Sequence, residues 1–218
     1  MSSRSDAAIA ALLDERDREF DPPPFDPEAI EPLGPSGGPG TPHRKLLELA
    51  NGAYLYRHAL HLFGACQRPI WHSLCAWNAP STWRDAYANL ADGLIFFAED
   101  AFGDQFAYSG RGGEVVVFEA EIGRITPAAP TFVDWLELIL AGPSSLLPID
   151  LLEQHAGEGK RLQPGSQLFA YPPLFSLESK EGVEVGHVDA VEAMRFRGEL
   201  ALQIKDLPSG TRVKIEVD

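Results

Sequence analysis

Residues 94–109, with the sequence LIFFAEDAFGDQFAYS, contain two short apolar runs on either side of an acidic, glycine-containing turn. Residues 94–98 and 105–109 have the length and the aromatic content of β-strands. A third run of the same kind follows at residues 114–121, after the glycine-rich stretch 110–113. Because short turns join neighbouring strands in antiparallel order, this segment predicts an antiparallel meander.

Helical patterns flank the meander on both sides. A Thr-x-x-Asp capping pattern at residues 131–134 opens an apolar helix that Gly142-Pro143 ends. Upstream, residues 41–52 predict a helix with a threonine cap, a proline at its first position and an Asn-Gly end. Residues 83–90 predict a further short helix, and the alternating, aromatic-rich residues 53–63 predict a strand.

The two ends of the chain predict further elements. Residues 5–20 predict a helix, and residues 21–42 hold eight prolines and four glycines, so they either wrap a surface or tether that helix. The patterns after residue 142 predict a short helix at 150–154, a strand at 167–171, the start of a helix at 188–193, a helix end or a hairpin strand at 199–205, and a strand at 211–217. The expected fold class is α+β: a single domain, residues 43–218, with a central antiparallel sheet flanked by helices, preceded by an N-terminal helix and Pro/Gly-rich arm, residues 1–42.

The balance of charge excludes several classes of ligand. The 218 residues include 32 acidic and 18 basic side chains, which gives a formal net charge of −14. Nucleic acids and anionic membranes are bound mainly through Lys and Arg, so neither is expected as a partner. The apolar runs are too short to span a membrane, no signal-peptide core is evident, and two cysteines are too few for a disulfide framework, so we expect a cytoplasmic protein.

Five histidine and cysteine residues form the best candidate for a metal site: His58, His61, Cys66, His72 and Cys75. Tetrahedral zinc uses short paired spacings such as His58-x2-His61 and His72-x2-Cys75. A strand over residues 53–63, however, places His58 and His61 on opposite faces of a sheet. We therefore expect no metal, with a zinc site and a Cys–His nucleophile as open alternatives. No phosphate-binding loop, dinucleotide fingerprint or nucleophile elbow is present, so neither a cofactor nor an enzymatic activity is expected.

Acidic residues concentrate in the meander and the helix that follows it. Residues 91–140 carry nine Asp and Glu against two Arg, which is half of the net charge on less than a quarter of the chain. Such a charge is also typical of a solvated face that keeps a protein soluble. The alternative that we pursue is an acidic edge that binds a partner, with Tyr108 and Phe102 as aromatic anchors if they are exposed. The predicted partner-binding residues are Glu99, Asp100, Asp104, Tyr108, Glu119 and Glu121.

Several of these motifs resemble the SUKH superfamily when they are taken in order. They are the helix end and strand start LLELANGAY at residues 46–54, the sequence HLFG at 61–64, the strand–turn–strand of 94–106, and the helix start APTFVDWL at 129–136. The resemblance covers about residues 44–140 and is of the bacterial immunity type, related to the fungal cell-wall synthesis regulator family. It implies an α+β domain without a catalytic role, and it supplies no catalytic or ligand-binding residues.

The resemblance implies that the chain is an immunity protein that binds and neutralises a cognate bacterial toxin. The phosphate-binding surface of a nuclease toxin is basic, so an acidic inhibitor would be electrostatically complementary to that surface. Charge reversal at Glu119 and Glu121 is then expected to slow association with the toxin. The alternative is a non-catalytic regulatory or scaffold module of the same superfamily, recruited through the Pro-rich arm. The sequence determines neither the identity of the toxin nor the oligomeric state.

Overall fold

The computed structural model describes residues 3–38, 40–110, 113–157, 159–208 and 210–211. Its main feature is a six-stranded antiparallel sheet in which every strand pairs with its neighbours in the sequence. The strands are β1 (Ala53–Leu55), β2 (Leu60–Leu62), β3 (Leu94–Asp100), β4 (Gln105–Ser109), β5 (Glu114–Glu119) and β6 (Arg124–Ala129). The predicted meander is confirmed, and β6 adds a strand that the sequence did not indicate, because it contains Pro127 and only one of its six side chains is buried.

The predicted single strand over residues 53–63 is wrong. It is a tight hairpin, with Ala53 opposite Leu62 and Leu55 opposite Leu60. Three successive residues in its turn, Tyr56, Arg57 and His58, have φ angles of 53°, 58° and 73°. Left-handed conformations are unfavourable for non-glycine residues, so nothing in the local sequence predicts a turn here.

The helices of the N-terminal two thirds are α1 (Arg4–Asp14), α2 (Pro42–Leu49), α3 (Leu74–Asn78) and α4 (Phe132–Ala141), with a 3-10 segment at Arg84–Ala91. The predicted caps are confirmed, since the hydroxyls of Thr41 and Thr131 accept the N–H groups of the residues three positions later. Helix α1 ends earlier than residue 20. The chain there turns to pair with the edge of the sheet, where the Asp17 N–H donates to the Tyr54 carbonyl at 2.7 Å.

The proline-rich segment wraps the domain rather than extending from it. It contains a 3-10 helix at Glu31–Gly37, and Ala29, Ile30 and Leu33 are buried in the hydrophobic core. The Asn51 side-chain amide donates to the carbonyls of Pro23 and Pro24 at 3.0 and 3.1 Å. These two carbonyls have no helix or sheet partner, so the Asn51 side chain supplies the hydrogen bonds that they would otherwise lack.

The last third of the chain contains α5 (Ile149–Gly157), the two-stranded sheet β7 (Ser166–Tyr171) and β8 (Glu184–Asp189), and α6 (Ala190–Ile204), with short 3-10 turns at Pro143–Ser145 and Glu178–Glu181. The strand predicted at 167–171 is confirmed, and the helix predicted to start at 188–193 begins at Ala190, because Val188 and Asp189 end β8. Residues 199–205 are the end of α6, not a hairpin strand. The strand predicted at 211–217 lies almost wholly outside the described residues.

The sheet is covered on both faces, and this arrangement determines which polar residues are buried. On one face the ring of Trp135 from α4 lies 5.0 Å from that of Phe97. On the other, Trp83 lies 5.0 Å from Phe96, and α6 packs behind it. Gly198 allows that close approach, since a Cβ atom there would lie 2.8 Å from Cδ2 of Tyr87. Strand β3 is therefore a central strand buried on both sides.

Candidate functional site

The predicted acidic edge is not a continuous exposed surface. Glu99 and Asp100 lie at the end of the central strand β3 and are only 4% and 8% exposed, and Tyr108 on β4 is 2% exposed. These three side chains were expected to be exposed to a partner, and they are buried instead, because helices cover both faces of the sheet. Phe102, the other proposed aromatic anchor, is buried as well.

Glu99 instead lies at the centre of a buried hydrogen-bonded network. One carboxyl oxygen, Oε2, accepts from the side-chain amides of Gln105 at 3.1 Å and Gln167 at 2.7 Å. The other, Oε1, lies 3.0 Å from Nδ1 of His61, whose Nε2 lies 2.9 Å from Nδ1 of His72. The buried Arg197 guanidinium donates in turn to the Gln167 carbonyl oxygen, so the network joins β2, β3, β4, β7 and α6.

The partners of this network fix where its protons lie. Nε2 of His72 is 2.9 Å from the Asn51 carbonyl, which accepts only, so it carries a hydrogen and Nδ1 accepts from His61. One hydrogen remains to be placed, between Nδ1 of His61 and Oε1 of Glu99. Either Glu99 is protonated and donates to a neutral His61, or His61 is an imidazolium that donates to the Glu99 carboxylate. Burial raises the pKa of Glu99 to about 7 and holds the pKa of His61 well below its usual value. The neutral pair is favoured up to that pH.

Asp100 and Asp104 hold the β3–β4 turn together. Oδ1 of Asp100 accepts the N–H groups of Phe102 at 2.9 Å and Asp104 at 3.0 Å, and Oδ1 of Asp104 accepts that of Ala120 at 2.8 Å. The bonds of Asp100 form an Asx turn, and the bond of Asp104 joins this turn to the residue that follows β5, so both residues have a structural role. Burial raises the pKa of both carboxyls, that of Asp104 to about 6.

Tyr108 also has a structural partner. Its hydroxyl lies 2.8 Å from Nδ1 of His43, a buried residue of α2 whose ring stacks on Phe132 with a centroid separation of 4.4 Å. Burial lowers the pKa of His43 to about 3, so the ring is neutral at physiological pH. The pair fastens α2 to the sheet.

Glu119 and Glu121 are the predicted residues that lie nearest to the surface. Glu119 makes a two-point ion pair with Arg124, with N–O distances of 2.8 and 2.6 Å, across the turn between β5 and β6. Oε2 of Glu121 accepts the backbone N–H of Phe175 at 3.1 Å, although the two residues are 54 positions apart. Glu121 therefore anchors the segment that connects β7 to β8.

The segment between β7 and β8 is a surface that the sequence did not indicate. Three of its large apolar side chains are exposed: Tyr171 at 69%, Leu177 at 67% and Phe175 at 38%. Its charged residues are exposed too and are mainly acidic: Glu178, Lys180, Glu181 and Glu184. Internal bonds order the segment, including those from the Ser179 hydroxyl to the carbonyls of Leu174 and Ser176. We call residues 171–184 the β7–β8 loop surface.

The histidines and cysteines considered for zinc do not converge. His61 and His72 bond to each other and to Glu99 or Asn51, and Nε2 of His58 lies 3.0 Å from Asp17. His58 and His61 are not on opposite sides, as an unbroken strand would require, because the ring of Tyr54 stacks on both at 4.3 and 4.2 Å. Among the described residues, no three His, Cys, Asp or Glu side chains form a group that could hold a metal ion.

Comparisons with known proteins bear on the region from α2 to α4. Residues 42–138 match the model of the SMI1 / KNR4 family (SUKH-1). A search of curated proteins finds no match. Among solved structures, the crystal structure of Atu4351 from Agrobacterium tumefaciens has a TM-score of 0.53 at 14% sequence identity, and the similarity covers 87% of each chain. At that identity the likeness concerns the fold.

The helices of the described residues are all too short or too polar to cross a membrane.

The family match begins at the threonine-capped helix α2, includes β1 to β6 and ends within α4, so it contains the complete six-stranded sheet. Residues 42–138 therefore match a SUKH-1 domain of the SMI1 / KNR4 family, which is consistent with the SUKH superfamily.

Proposed function

We propose that this chain is a non-catalytic immunity protein, which binds a cognate bacterial protein toxin and neutralises it through the β7–β8 loop surface. Members of the SUKH superfamily generally act as immunity or regulatory domains, which supports a role in protein binding. The observation that carries the proposal is the exposure of Tyr171, Phe175 and Leu177 on one ordered, acidic loop. Folded proteins seldom leave three large apolar side chains exposed on a single short segment without a partner.

The chemistry of this surface fits a basic protein partner. Aromatic and large aliphatic side chains at the centre of an interface supply most of its binding energy, and a charged rim supplies specificity and a faster association. Glu178, Glu181 and Glu184 form such a rim, and only Lys180 opposes them. A nuclease toxin, which must bind phosphates, is the kind of partner whose active surface is basic enough to be blocked in this way.

The acidic meander contributes to the same surface in this proposal. Glu121 holds the loop through Phe175, and Glu119 lies two residues away on the same edge. The six residues predicted from the sequence then fall into two groups. Glu119 and Glu121 are partly exposed and remain proposed partner-binding residues, while Glu99, Asp100, Asp104 and Tyr108 keep the sheet that supports the loop in place.

A regulatory or scaffold module of the same superfamily is the second candidate. It would use the same exposed apolar residues but would confer no protection against a toxin. The proline-rich segment is less suited to recruit a partner than the sequence indicated, because its apolar residues Ala29, Ile30 and Leu33 are buried. A gene for a basic toxin domain directly beside the gene for this chain favours immunity over this alternative.

The test is a growth-protection assay paired with a binding measurement. The chain is co-expressed with the toxin domain encoded beside it, as wild type and as the Tyr171→Asp/Leu177→Asp variant. Leu49→Asp is the matched control, since Leu49 is 59% exposed at the end of α2, far from the loop in sequence. Loss of protection and binding in the loop variant alone supports the proposal. Full protection by the loop variant contradicts it.

A further inference from the structure

A groove of about 890 Å³ lies where the end of α1, the β1–β2 turn, α5 and the loop after α5 meet. Its apolar wall is formed by Tyr56, Ile149, Leu152 and Leu162. The groove shares no residue with the β7–β8 loop surface, so it raises a separate question about ligands. Its volume is typical of pockets that accept small molecules rather than of flat protein interfaces.

The charge of this groove is opposite to that of the whole chain. Its lining includes five cationic side chains, Arg16, Arg18, Arg57, Lys160 and Arg161, against the three acidic residues Glu15, Asp17 and Glu153. The lining residues alone thus carry a net charge of +2 within a chain of net charge −14, and Glu19, just outside the lining, pairs with Arg161. Because salt screens charges beyond about 8 Å at physiological ionic strength, a ligand in the groove experiences the local charge more strongly than the total.

Two of these arginines are available to a ligand. Within the described residues, the side chains of Arg16 and Arg18 make no hydrogen bond and no ion pair, and both are exposed. Arg57 is held only loosely, at 3.8 Å from Glu153, with its side chain 80% exposed. Guanidinium groups present several N–H donors in a plane, which matches the oxygens of phosphate groups.

The backbone around the groove is fixed in a costly conformation. Tyr56, Arg57 and His58 are all left-handed, at a cost of about 1 kcal/mol or more for each residue. Asp17 holds this turn in place, because its carboxylate lies 3.0 Å from Nε2 of His58 and 3.4 Å from the Arg161 guanidinium. The same carboxylate therefore joins three of the groove's walls before any ligand binds.

We infer that the groove is a binding site for a phosphorylated small molecule of nucleotide size, with its phosphates on Arg16, Arg18 and Arg57 and its apolar part against Tyr56, Leu152 and Leu162. The three guanidinium groups of Arg16, Arg18 and Arg57 suit the multiple negative charges of a diphosphate group, and the aromatic and aliphatic wall matches a base or another apolar body. An acidic peptide has the charge but needs an extended path, whereas the groove is a local concavity. The preformed turn presents Arg57 and Tyr56 on the same side as the two free arginines.

The test uses ADP, pyrophosphate, adenosine and a polyglutamate peptide as probes in calorimetric titrations of the full chain. We expect ADP to bind, pyrophosphate to bind more weakly, and adenosine not to bind at about 1 mM. The Arg16→Gln/Arg18→Gln variant should weaken ADP binding by about tenfold or more. Arg68→Gln, a change at an exposed arginine outside the groove, should leave ADP binding unchanged.

Three results overturn the inference. One is the absence of binding by both ADP and pyrophosphate at about 1 mM. Another is tighter binding of polyglutamate than of ADP, which assigns the groove to an acidic peptide instead. The third is an equal loss of affinity in Arg68→Gln, which would show that only the general charge matters. The outcome is independent of the toxin assay, because none of the probes or variants involves the β7–β8 loop surface.

Discussion

Replacement of Glu99 by glutamine tests the proton arrangement of the buried network. The glutamine amide can donate to Nδ1 of His61, as the protonated carboxyl does, while its carbonyl oxygen accepts from Gln105 and Gln167. All existing bonds are therefore kept without an ionisable group. Glu99→Ala, in contrast, removes the Glu99 partner of His61, Gln105 and Gln167 and should be about 3–4 kcal/mol less stable than Glu99→Gln at every pH.

The size of the pH effect follows from the pKa of Glu99. Its pKa is raised from 4.5 to about 7 in the folded protein, so the folded state holds a proton that the unfolded chain has already lost. This contribution to stability is present in full below the unfolded pKa and is lost as the pH rises through the folded one. Between pH 5 and pH 8 the wild type should lose about 2.5 kcal/mol relative to Glu99→Gln.

The assay is urea unfolding of both proteins at several pH values, because the difference between them cancels the other titrating groups. Glu114→Gln is a matched control, since Glu114 is an exposed glutamate at the start of β5 and should run parallel to the wild type. If the stability of the wild type and that of Glu99→Gln also run parallel from pH 5 to pH 8, Glu99 does not share its proton with His61, and the arrangement proposed for the network is wrong.

Three other expectations concern the supports around the site. His43→Phe keeps the stacking on Phe132 but removes the hydrogen bond between His43 and the Tyr108 hydroxyl, so it should cost about 1–2 kcal/mol at pH 7.5 in thermal or urea unfolding. The lowered pKa of His43 makes the wild type lose about 2 kcal/mol of stability between pH 7.5 and pH 5, so the two proteins should become equally stable at pH 5, and a constant difference would contradict a neutral buried histidine. Asn51→Ala removes the side-chain donor to the carbonyls of Pro23, Pro24 and Ala65, so it should lower the free energy of unfolding by about 2–4 kcal/mol and make residues 20–30 accessible to protease. Unchanged resistance to proteolysis would show that other contacts hold the N-terminal arm. Charge reversal at Glu119 and Glu121 should slow association with the cognate toxin and weaken the salt dependence of the association rate in stopped-flow measurements. Glu114→Lys is the control, and unchanged rates in the double variant would show that Glu119 and Glu121 are not part of the interface.

The elements that the sequence predicted correctly are those with local signals. The threonine caps before α2 and α4 and the aromatic runs of β3 and β4 each depend on residues within one turn or one strand. The elements that it missed depend on distant contacts. The left-handed turn at residues 56–58 is held by Asp17 from the end of α1, and β8 exists because it pairs with β7.

The candidate site shows the same division. The acidic character of the meander could be read from the composition, but the burial of Glu99 and Asp100 could not, because it requires knowing that α4 and α6 cover both faces of the sheet. A run of acidic residues at the end of an apolar strand is equally typical of a solvated edge and of a buried network. The β7–β8 loop surface was missed because exposure of apolar residues is a property of the fold, and its Pro172-Pro173 sequence indicated only a break.

The most direct test of the proposed function is the affinity of the purified chain for the toxin domain encoded beside it, measured for the wild type, Tyr171→Asp/Leu177→Asp and Leu49→Asp. We expect the loop variant to bind at least about 100-fold more weakly and to protect cells no longer, since each apolar anchor buried in the interface contributes about 2 kcal/mol or more. Leu49→Asp should bind like the wild type. Wild-type affinity and protection in the loop variant would contradict the proposal that the β7–β8 loop surface binds the toxin.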